Sequence, residues 1–272
     1  MRIDRILAES GAGTRKDVGL MLRQGRVRLD GVQLKDPKQH ISDEEAARLK
    51  VDGEAFIPRR HLHFLLNKPE GVLSAAQDKH APAALDLLPA YTHTRKLVPV
   101  GRLDKDSSGL LFFTNDGQLN HRLTSPKHRI GKRYRVSVEL LDSEHNTRTR
   151  GISMEDVDLF RSGQLELDGK PLLPSELIIL NEWEAEAVLY EGRFRQLRRM
   201  FELVGLKVVQ LKRIAEGSLL LGGLPLGAAR PLTDREISEL YLHAGLADPD
   251  AYWRELAPAP ETSSSLNIIP PS

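Results

Sequence analysis

The sequence contains no cysteine, few aromatic residues and no long apolar run. With no cysteine among its 272 residues, the chain has no disulfide, no thiolate nucleophile and no cysteine-ligated zinc. This absence fits a reducing compartment. The start, Met1-Arg2-Ile3-Asp4-Arg5, lacks the apolar core of a signal peptide, and no stretch approaches the roughly 18 apolar residues of a membrane span. We therefore expect a soluble cytoplasmic protein with no membrane partner.

Charge is nearly balanced overall but unevenly distributed along the chain. The net charge is +1, yet residues 92–135 have ten Lys and Arg against three Asp and Glu. Residues 193–213 have seven against one, and residues 136–192, between the two basic blocks, have four against thirteen. Either the basic blocks are solvated surface, or they converge on one face and form a track for phosphates. The sequence leaves both interpretations open.

Residues 1–58 have the pattern of a small separate module. Two short helices are predicted first, and Thr14 with Asp17 three residues later is typical of the start of the second helix. Residues 27–29 then alternate as a strand, and Asp30-Gly31 predicts a hairpin turn. The module therefore consists of two helices followed by a small β element.

This module resembles the alpha-L RNA-binding domain. The residues that match are Arg2, Asp4, Ala8, Gly11, Thr14, Arg15, Gly25, Val27, Asp30 and Gly31. The resemblance implies that exposed cations such as Arg15 and Lys16 bind RNA. The alternative is a small helical domain with ordinary surface arginines.

A carboxylate stands at the head of a short apolar run within residues 101–117. The run is bracketed by glycine turns, which predicts a buried strand with Asp104 in the loop that enters the core. A carboxylate there is costly unless it is paired or takes part in chemistry. An EF-hand would need Glu where Asn115 stands. A magnesium pair of Asp104 and Asp106 has no phosphate-cradling glycine loop beside it, but it leaves a metal-dependent phosphoryl-transfer enzyme as an alternative.

A second motif spans residues 191–201 and contains four arginines near a helix start. Apolar spacing predicts the helix over 196–204, with Arg198 and Arg199 off its apolar side and Gly205 as its stop. Guanidinium groups at this point suit phosphate or carboxylate recognition. The alternative is a solvated helix face.

Strands outnumber helices and do not alternate regularly with them. The fold class is therefore α+β, with a larger domain built on a mixed, mainly antiparallel sheet flanked by helices. We divide the chain into an RNA-binding module at 1–58, a linker at 59–61, a catalytic domain at 62–245 and a tail at 246–272. The Pro- and Ser-rich end from residue 257 is expected to be disordered.

Taken together, the motifs resemble the RsuA-type ribosomal RNA pseudouridine synthases, over essentially residues 1–240. The blocks that carry the resemblance, in the family's order, are residues 66–71 (LNKPEG), 101–117 (GRLD to TNDG), 132–134 (KRY), 196–201 (QLRRMF) and 230–233 (RPLT). The family isomerises uridine to pseudouridine, so the resemblance implies an enzyme without cofactor or metal. The implied partner is ribosomal RNA or a ribosomal subunit assembly intermediate, and we expect a monomer.

The resemblance also implies roles for single residues. Asp104 is the essential carboxylate, and whether it attacks C1′, attacks C6 or removes a sugar proton stays open. Arg198 is expected to pair with Asp104 and hold it ionised. Tyr134 is expected to stack on the flipped base and to help remove the C5 proton.

The remaining site residues are expected to contact RNA. Arg102 and Lys132 match phosphate-binding positions and Arg199 belongs to the same basic set, while Asn67 and Lys68 shape the wall of the cleft. Within the family, the small-subunit enzymes look most similar, through residues 116–128 and through residues 191–193 with the following helix to residue 201. A large-subunit enzyme and a non-catalytic RNA-binding assembly factor are the alternatives.

Overall fold

The computed structural model describes residues 1–78, 80–142 and 146–256. The elements of its N-terminal part are α1 (Ile3–Glu9), α2 (Arg15–Arg23), β1 (Val27–Leu29), β2 (Val32–Gln33), α3 (Asp43–Ala46), β3 (Leu49–Val51) and β4 (Glu54–Ala55). The strands form a sheet in the order β2-β1-β3-β4, and one buried apolar cluster extends from Ile3 to Phe56. Both predicted helices and the hairpin are confirmed, whereas α3, β3 and β4 were not predicted.

The start of α2 shows why local sequence was sufficient there. The Thr14 hydroxyl accepts from the Asp17 backbone N–H at 3.2 Å, and the Asp17 carboxylate accepts from the Thr14 N–H at 2.8 Å. This reciprocal capping box satisfies backbone donors that the first turn leaves without partners. It also leaves the neighbouring side chains of Arg15 and Lys16 exposed to solvent.

The larger part is built on one mixed sheet. Its elements are β5 (His63–Lys68), β6 (Val98–Val100), β7 (Ser108–Thr114), α4 (Gly117–Thr124), β8 (Lys132–Leu140), α5 (Met154–Ser162), β9 (Glu166–Leu167), β10 (Lys170–Pro171), β11 (Glu176–Asn181), β12 (Glu184–Leu189), α6 (Gln196–Leu203), β13 (Leu206–Glu216), β14 (Leu219–Leu220), β15 (Ala229–Pro231), α7 (Asp234–His243) and α8 (Ala251–Leu256). The sheet order is β11-β12-β8-β13-β7-β5-β15, with β14 beside β13 and β6 beside β7. Within the described residues, β7 and β13 pair in parallel and the other pairings of this sheet are antiparallel. The mixed, mainly antiparallel sheet is confirmed.

Strand β7 is apolar throughout because both faces of the sheet are covered there. Leu111 and Phe113 belong to the apolar cluster that includes α5 and α6. Leu110 and Phe112 belong to the opposite cluster, which includes α4 and α7. Successive side chains of a strand point to opposite faces, so a strand buried on both sides shows no polar alternation.

Gly109 allows β7 to approach β13 closely. Its φ is +104°, and a Cβ at this position would lie 2.2 Å from the carbonyl oxygen of Arg213. No side chain fits there without moving backbone. The loop that contains Asp104 therefore enters the sheet at a fixed point.

The two parts of the molecule are joined by buried polar contacts. Arg59 donates to the Leu232 carbonyl and pairs with Asp234 at 2.9 Å. Asp250, 1% exposed, accepts from the Arg60 backbone N–H at 3.0 Å. Helix α8 lies in the segment that the sequence assigned to the tail, whereas the disorder expected from residue 257 lies outside the described residues. Within the described ranges, no helix is long and apolar enough to cross a membrane.

Candidate active site

The loop between β6 and β7 holds Asp104 in a defined position. The Ser74 hydroxyl accepts from the Leu103 N–H at 3.0 Å and donates to the Leu103 carbonyl at 2.7 Å. The Gly71 N–H donates to the Lys105 carbonyl at 2.8 Å. Asp104 itself is half-buried. Contacts on both sides of the residue thus fix its backbone before any substrate is bound.

Asp104 opens into a pocket of about 430 Å³. Arg102 and Asp104 line it from the loop, and Lys132 and Tyr134 line it from the start of β8. Residues 192–197, which lead into α6, form the opposite rim. The fold therefore brings together four predicted site residues from two separate motifs, with a carboxylate, an aromatic ring and two cations facing one space.

Tyr134 is deeply placed in this pocket, with 9% of its surface exposed. Burial raises the pKa of its phenol, the nearby Arg213 opposes that change, and the carboxylates of Glu216 and Asp104 add to it. The phenol is therefore a neutral hydrogen-bonding group at physiological pH. Asp104 is close enough for its charge to act on the ring.

A buried charged cluster lies behind the pocket. Arg213 and Glu216 are 1% and 2% exposed and form an ion pair at 3.2 Å. The Arg213 Nε donates to the Leu110 carbonyl at 2.7 Å, and the Lys132 Nζ lies 3.9 Å from Glu216. Burial lowers the pKa of Lys132, although the Glu216 charge opposes this. The cluster links β13 and β7 to the cation at the pocket floor.

Arg198 does not pair with Asp104, contrary to the sequence-based expectation. Its guanidinium donates to the Val208 carbonyl at 2.8 Å and to the Asp106 carbonyl at 2.7 Å, and lies 3.4 Å from the Asp106 carboxylate. Among the described residues, no Lys, Arg or His nitrogen lies within 4.0 Å of the Asp104 carboxylate. The turn in which the Ser107 N–H bonds the Asp104 carbonyl presents Asp106 to α6 instead.

The other arginines of this motif are also occupied by internal partners. Arg195 pairs with Asp106 at 2.9 Å, and Arg199 pairs with Asp168 at 2.6 Å. Burial opposes the ionised form of Asp106, but the hydrogen bond from Arg195 and the charge of Arg198 outweigh it and lower its pKa. A carboxylate held by two guanidinium groups is poorly suited to share a magnesium ion with Asp104.

Comparison with known proteins agrees with this geometry. Residues 62–203 match the family described as RNA pseudouridylate synthase, and residues 1–46 match the S4 domain. The chain belongs to the RNA pseudouridylate synthase family.

Named relatives cover nearly the whole synthase. Ribosomal small subunit pseudouridine synthase A of Haemophilus influenzae is 34% identical over 88% of this chain and 99% of its own. Ribosomal large subunit pseudouridine synthase B of Bacillus subtilis is 33% identical over 88% of this chain and 95% of its own. A crystal structure of a pseudouridylate synthase, 31% identical, superposes with a TM-score of 0.59 over 88% of this chain and 99% of the other. The predicted RsuA-type resemblance is confirmed.

Two residues that the sequence assigned to RNA contact are instead buried in the synthase. Asn67 and Lys68 are 2% and 0% exposed. Asn67 donates to the Leu224 carbonyl at 2.7 Å, and the Lys68 ammonium donates to two carbonyls of the following turn at 2.9 Å. Burial lowers the pKa of Lys68 to about 8 against the opposing charges of nearby carboxylates. The two side chains support the loops around the pocket but do not line its wall.

The sequence also mispredicted the burial of Arg198, and it did not predict the charged cluster of Arg213 and Glu216 behind the pocket. Arg198 was expected off the apolar side of α6, but it is 7% exposed. Sequence reasoning did not select Arg213 or Glu216. A signal for Arg213 was available, because strand alternation places it on the same face as the buried Leu211. A charge on the buried face of a strand indicates a paired or functional group.

Proposed function

We propose that this synthase converts uridine to pseudouridine in ribosomal RNA, and that its target lies in the small subunit. The observation that carries the proposal is the single pocket that joins Asp104, Tyr134, Arg102 and Lys132. The S4 domain and the relatives named for ribosomal subunits support ribosomal RNA as the substrate. Because relatives of both subunit classes match, the choice of small subunit rests on residues 116–128 and 191–201 of the sequence.

The reaction is an isomerisation in which the N1–C1′ bond breaks and a C5–C1′ bond forms. C5 loses a proton and N1 gains one, so no outside reactant is consumed. In our proposal the ionised Asp104 acts as the nucleophile or base that starts bond cleavage. The Tyr134 ring stacks on the displaced uracil, and its hydroxyl assists proton removal from C5.

The cations of the pocket bind the backbone of the displaced nucleotide. Arg102 is exposed at the rim, while Lys132 is largely buried with its side chain 12% exposed. Arg102 therefore binds a phosphate at the pocket rim, and Lys132 binds the part of the nucleotide backbone that enters the pocket. The uridine must leave its stack to reach Asp104, which costs a few kcal/mol. We further propose that the protein acts as a monomer in the cytoplasm on RNA or on an assembly intermediate.

The test is tritium release from C5-labelled ribosomal RNA of cells that lack this protein. Wild type is compared with Asp104→Asn, which keeps shape but removes charge, and with Asp106→Asn as the matched control in the same loop. We expect release by wild type, none by Asp104→Asn, and reduced but measurable release by Asp106→Asn. Fractionation of the two subunit RNAs then locates the target.

Two outcomes would overturn the proposal. RNA binding by wild type without release from either RNA or from assembly intermediates would establish the assembly-factor alternative. Release that chelator abolishes while the RNA stays folded would overturn isomerisation without a metal. Release from large-subunit RNA alone would overturn only the choice of subunit.

A further inference from the structure

The most exposed aromatic side chain at the pocket rim has no assigned role. Phe194 is 76% exposed and lines the pocket together with the segment that leads into α6. Isolated apolar side chains are common on protein surfaces, so exposure alone carries no argument. Phe194 differs from exposed residues such as Leu242, which is 80% exposed but does not line the pocket. Its position places an exposed ring at the rim of the pocket.

The backbone on both sides of Phe194 is held firmly. On one side, the Arg193 backbone N–H donates to the Gln196 Oε1 at 3.0 Å, and the Arg193 guanidinium donates to the carbonyls of Leu167 and Lys170. On the other side, Arg195 pairs with Asp106 and has a φ of +49°. A residue other than glycine adopts this left-handed conformation at a cost, and such strain persists where the surroundings impose it.

Because the backbone on both sides is fixed, the exposure of the Phe194 ring is not the result of a mobile loop. A mobile loop could fold its phenylalanine onto nearby apolar surface, whereas a loop fixed at residues 193 and 195 keeps it in solvent. A pre-positioned ring loses little conformational freedom when it binds. The two flanking guanidinium groups are occupied by internal partners, so the segment offers RNA an aromatic face in preference to a charge.

A second aromatic group at the mouth has a task that Tyr134 cannot perform. Tyr134 lies inside the pocket, where the displaced uracil arrives. When a nucleotide leaves its stack, its neighbours lose their stacking partner. An exposed ring beside the entrance can replace that partner, since every base has a face on which an aromatic side chain can stack.

We propose that Phe194 stacks on an RNA base next to the target uridine and so stabilises the opened strand. The inference rests on the proposed function, because it assumes that the pocket receives a displaced uridine. Phe194 is a positioning residue in this account and touches no reacting atom. The stabilisation that Phe194 provides should depend little on which base it stacks on. It should be larger where displacement of the uridine breaks more base stacking in the RNA.

The first experiment measures single-turnover tritium release from deproteinised total ribosomal RNA. Stacking on one base suggests that Phe194→Ala lowers the rate constant roughly tenfold to a hundredfold. Phe194→Trp should retain most of the rate, and Leu242→Ala serves as the exposed apolar control and should match wild type. A Phe194→Ala rate within twofold of wild type would overturn the proposal.

The second experiment does not depend on activity. Tryptophan fluorescence of Phe194→Trp and of Leu242→Trp is followed during titration with the same RNA, against the wild-type background. A stacked indole is quenched, so only Phe194→Trp should lose fluorescence at saturation. Equal responses of the two variants would overturn the proposal, even if Phe194→Ala is slow. If wild type releases no tritium from this RNA or from assembly intermediates, the proposed function fails, and the fluorescence comparison alone decides whether Phe194 meets RNA bases.

Discussion

Helices α2 and α6 look alike in sequence but use their cations differently. Each begins after a turn and has basic residues in its first half. In α2, the side chains of Arg15 and Lys16 are exposed and form no ion pair or hydrogen bond within the described residues. In α6, Arg198 and Arg199 are bound to carbonyls and carboxylates of other segments. A basic helix start therefore indicates phosphate binding only when its cations lack internal partners.

The largest effect is expected at Arg198. Arg198→Met removes hydrogen bonds to the carbonyls of Val208 and Asp106 and a largely buried charge beside the Asp106 carboxylate, so the free energy of unfolding should fall by about 2–4 kcal/mol. Because the loop that contains Asp104 loses its anchor, release of tritium should fall about a hundredfold. Urea unfolding and single-turnover release measure the two effects. Arg198→Lys keeps the charge but loses the two-pronged guanidinium, so its stability and activity should lie between those of wild type and Arg198→Met. Unchanged stability of Arg198→Met would show that the cations of α6 are as free of internal partners as those of α2.

The joint between the two parts predicts a pH-dependent effect. Burial raises the pKa of Asp250 to about 6, against the lowering effects of the Arg60 N–H and the nearby arginines. The folded state then holds a proton that the unfolded state releases above its lower pKa, so stability falls as pH rises from about 4 to 6. Asp250→Asn keeps the acceptor for Arg60 and should stabilise the protein by about 1–3 kcal/mol at pH 7 but hardly at pH 4. Thermal unfolding at both pH values measures this, and equal shifts at the two would contradict it.

A smaller and different effect is expected in α2. The double variant Arg15→Gln, Lys16→Gln removes two exposed cations, so RNA affinity should fall about tenfold near 0.1 M salt. The slope of log affinity against log salt should decrease by about 1.5, since each phosphate contact contributes about 0.7–0.9. Filter binding at several salt concentrations measures both. Stability should stay the same, and a loss of stability without a change in slope would reverse the comparison.

The smallest effect is expected at Arg199, which the sequence assigned to RNA binding. Its side chain is 28% exposed and paired with Asp168, whose side chain is 72% exposed. Arg199→Gln should cost less than about 0.5 kcal/mol in stability, as exposed pairs do. It should leave the salt slope unchanged, whereas Asp168→Asn should strengthen RNA binding by freeing the guanidinium. A reduced slope for Arg199→Gln would restore the sequence-based assignment.

Local signals in the sequence predicted much of the fold and part of the site. The cap at Thr14, the apolar run of β7 and the stop at Gly205 depend on residues a few positions apart. Helix α3 is only four residues long and left no clear periodic signal. Long-range partners were beyond reach, because Arg198 meets Asp106 from 92 residues away. The burial of Lys68 depends likewise on how distant strands close around it.

The close approach at Gly109 has a consequence for how this enzyme can diverge. With β7 pressed against β13 at that residue, the segment from Asp104 to Gly109 cannot be lengthened without displacing the carboxylate from the pocket. The rim before α6 is also fixed at residues 193 and 195, but the side chain of Phe194 faces solvent and can be exchanged without moving backbone. New RNA targets should therefore be acquired by changing the rim, while the catalytic segment keeps its length across all descendants of this chain.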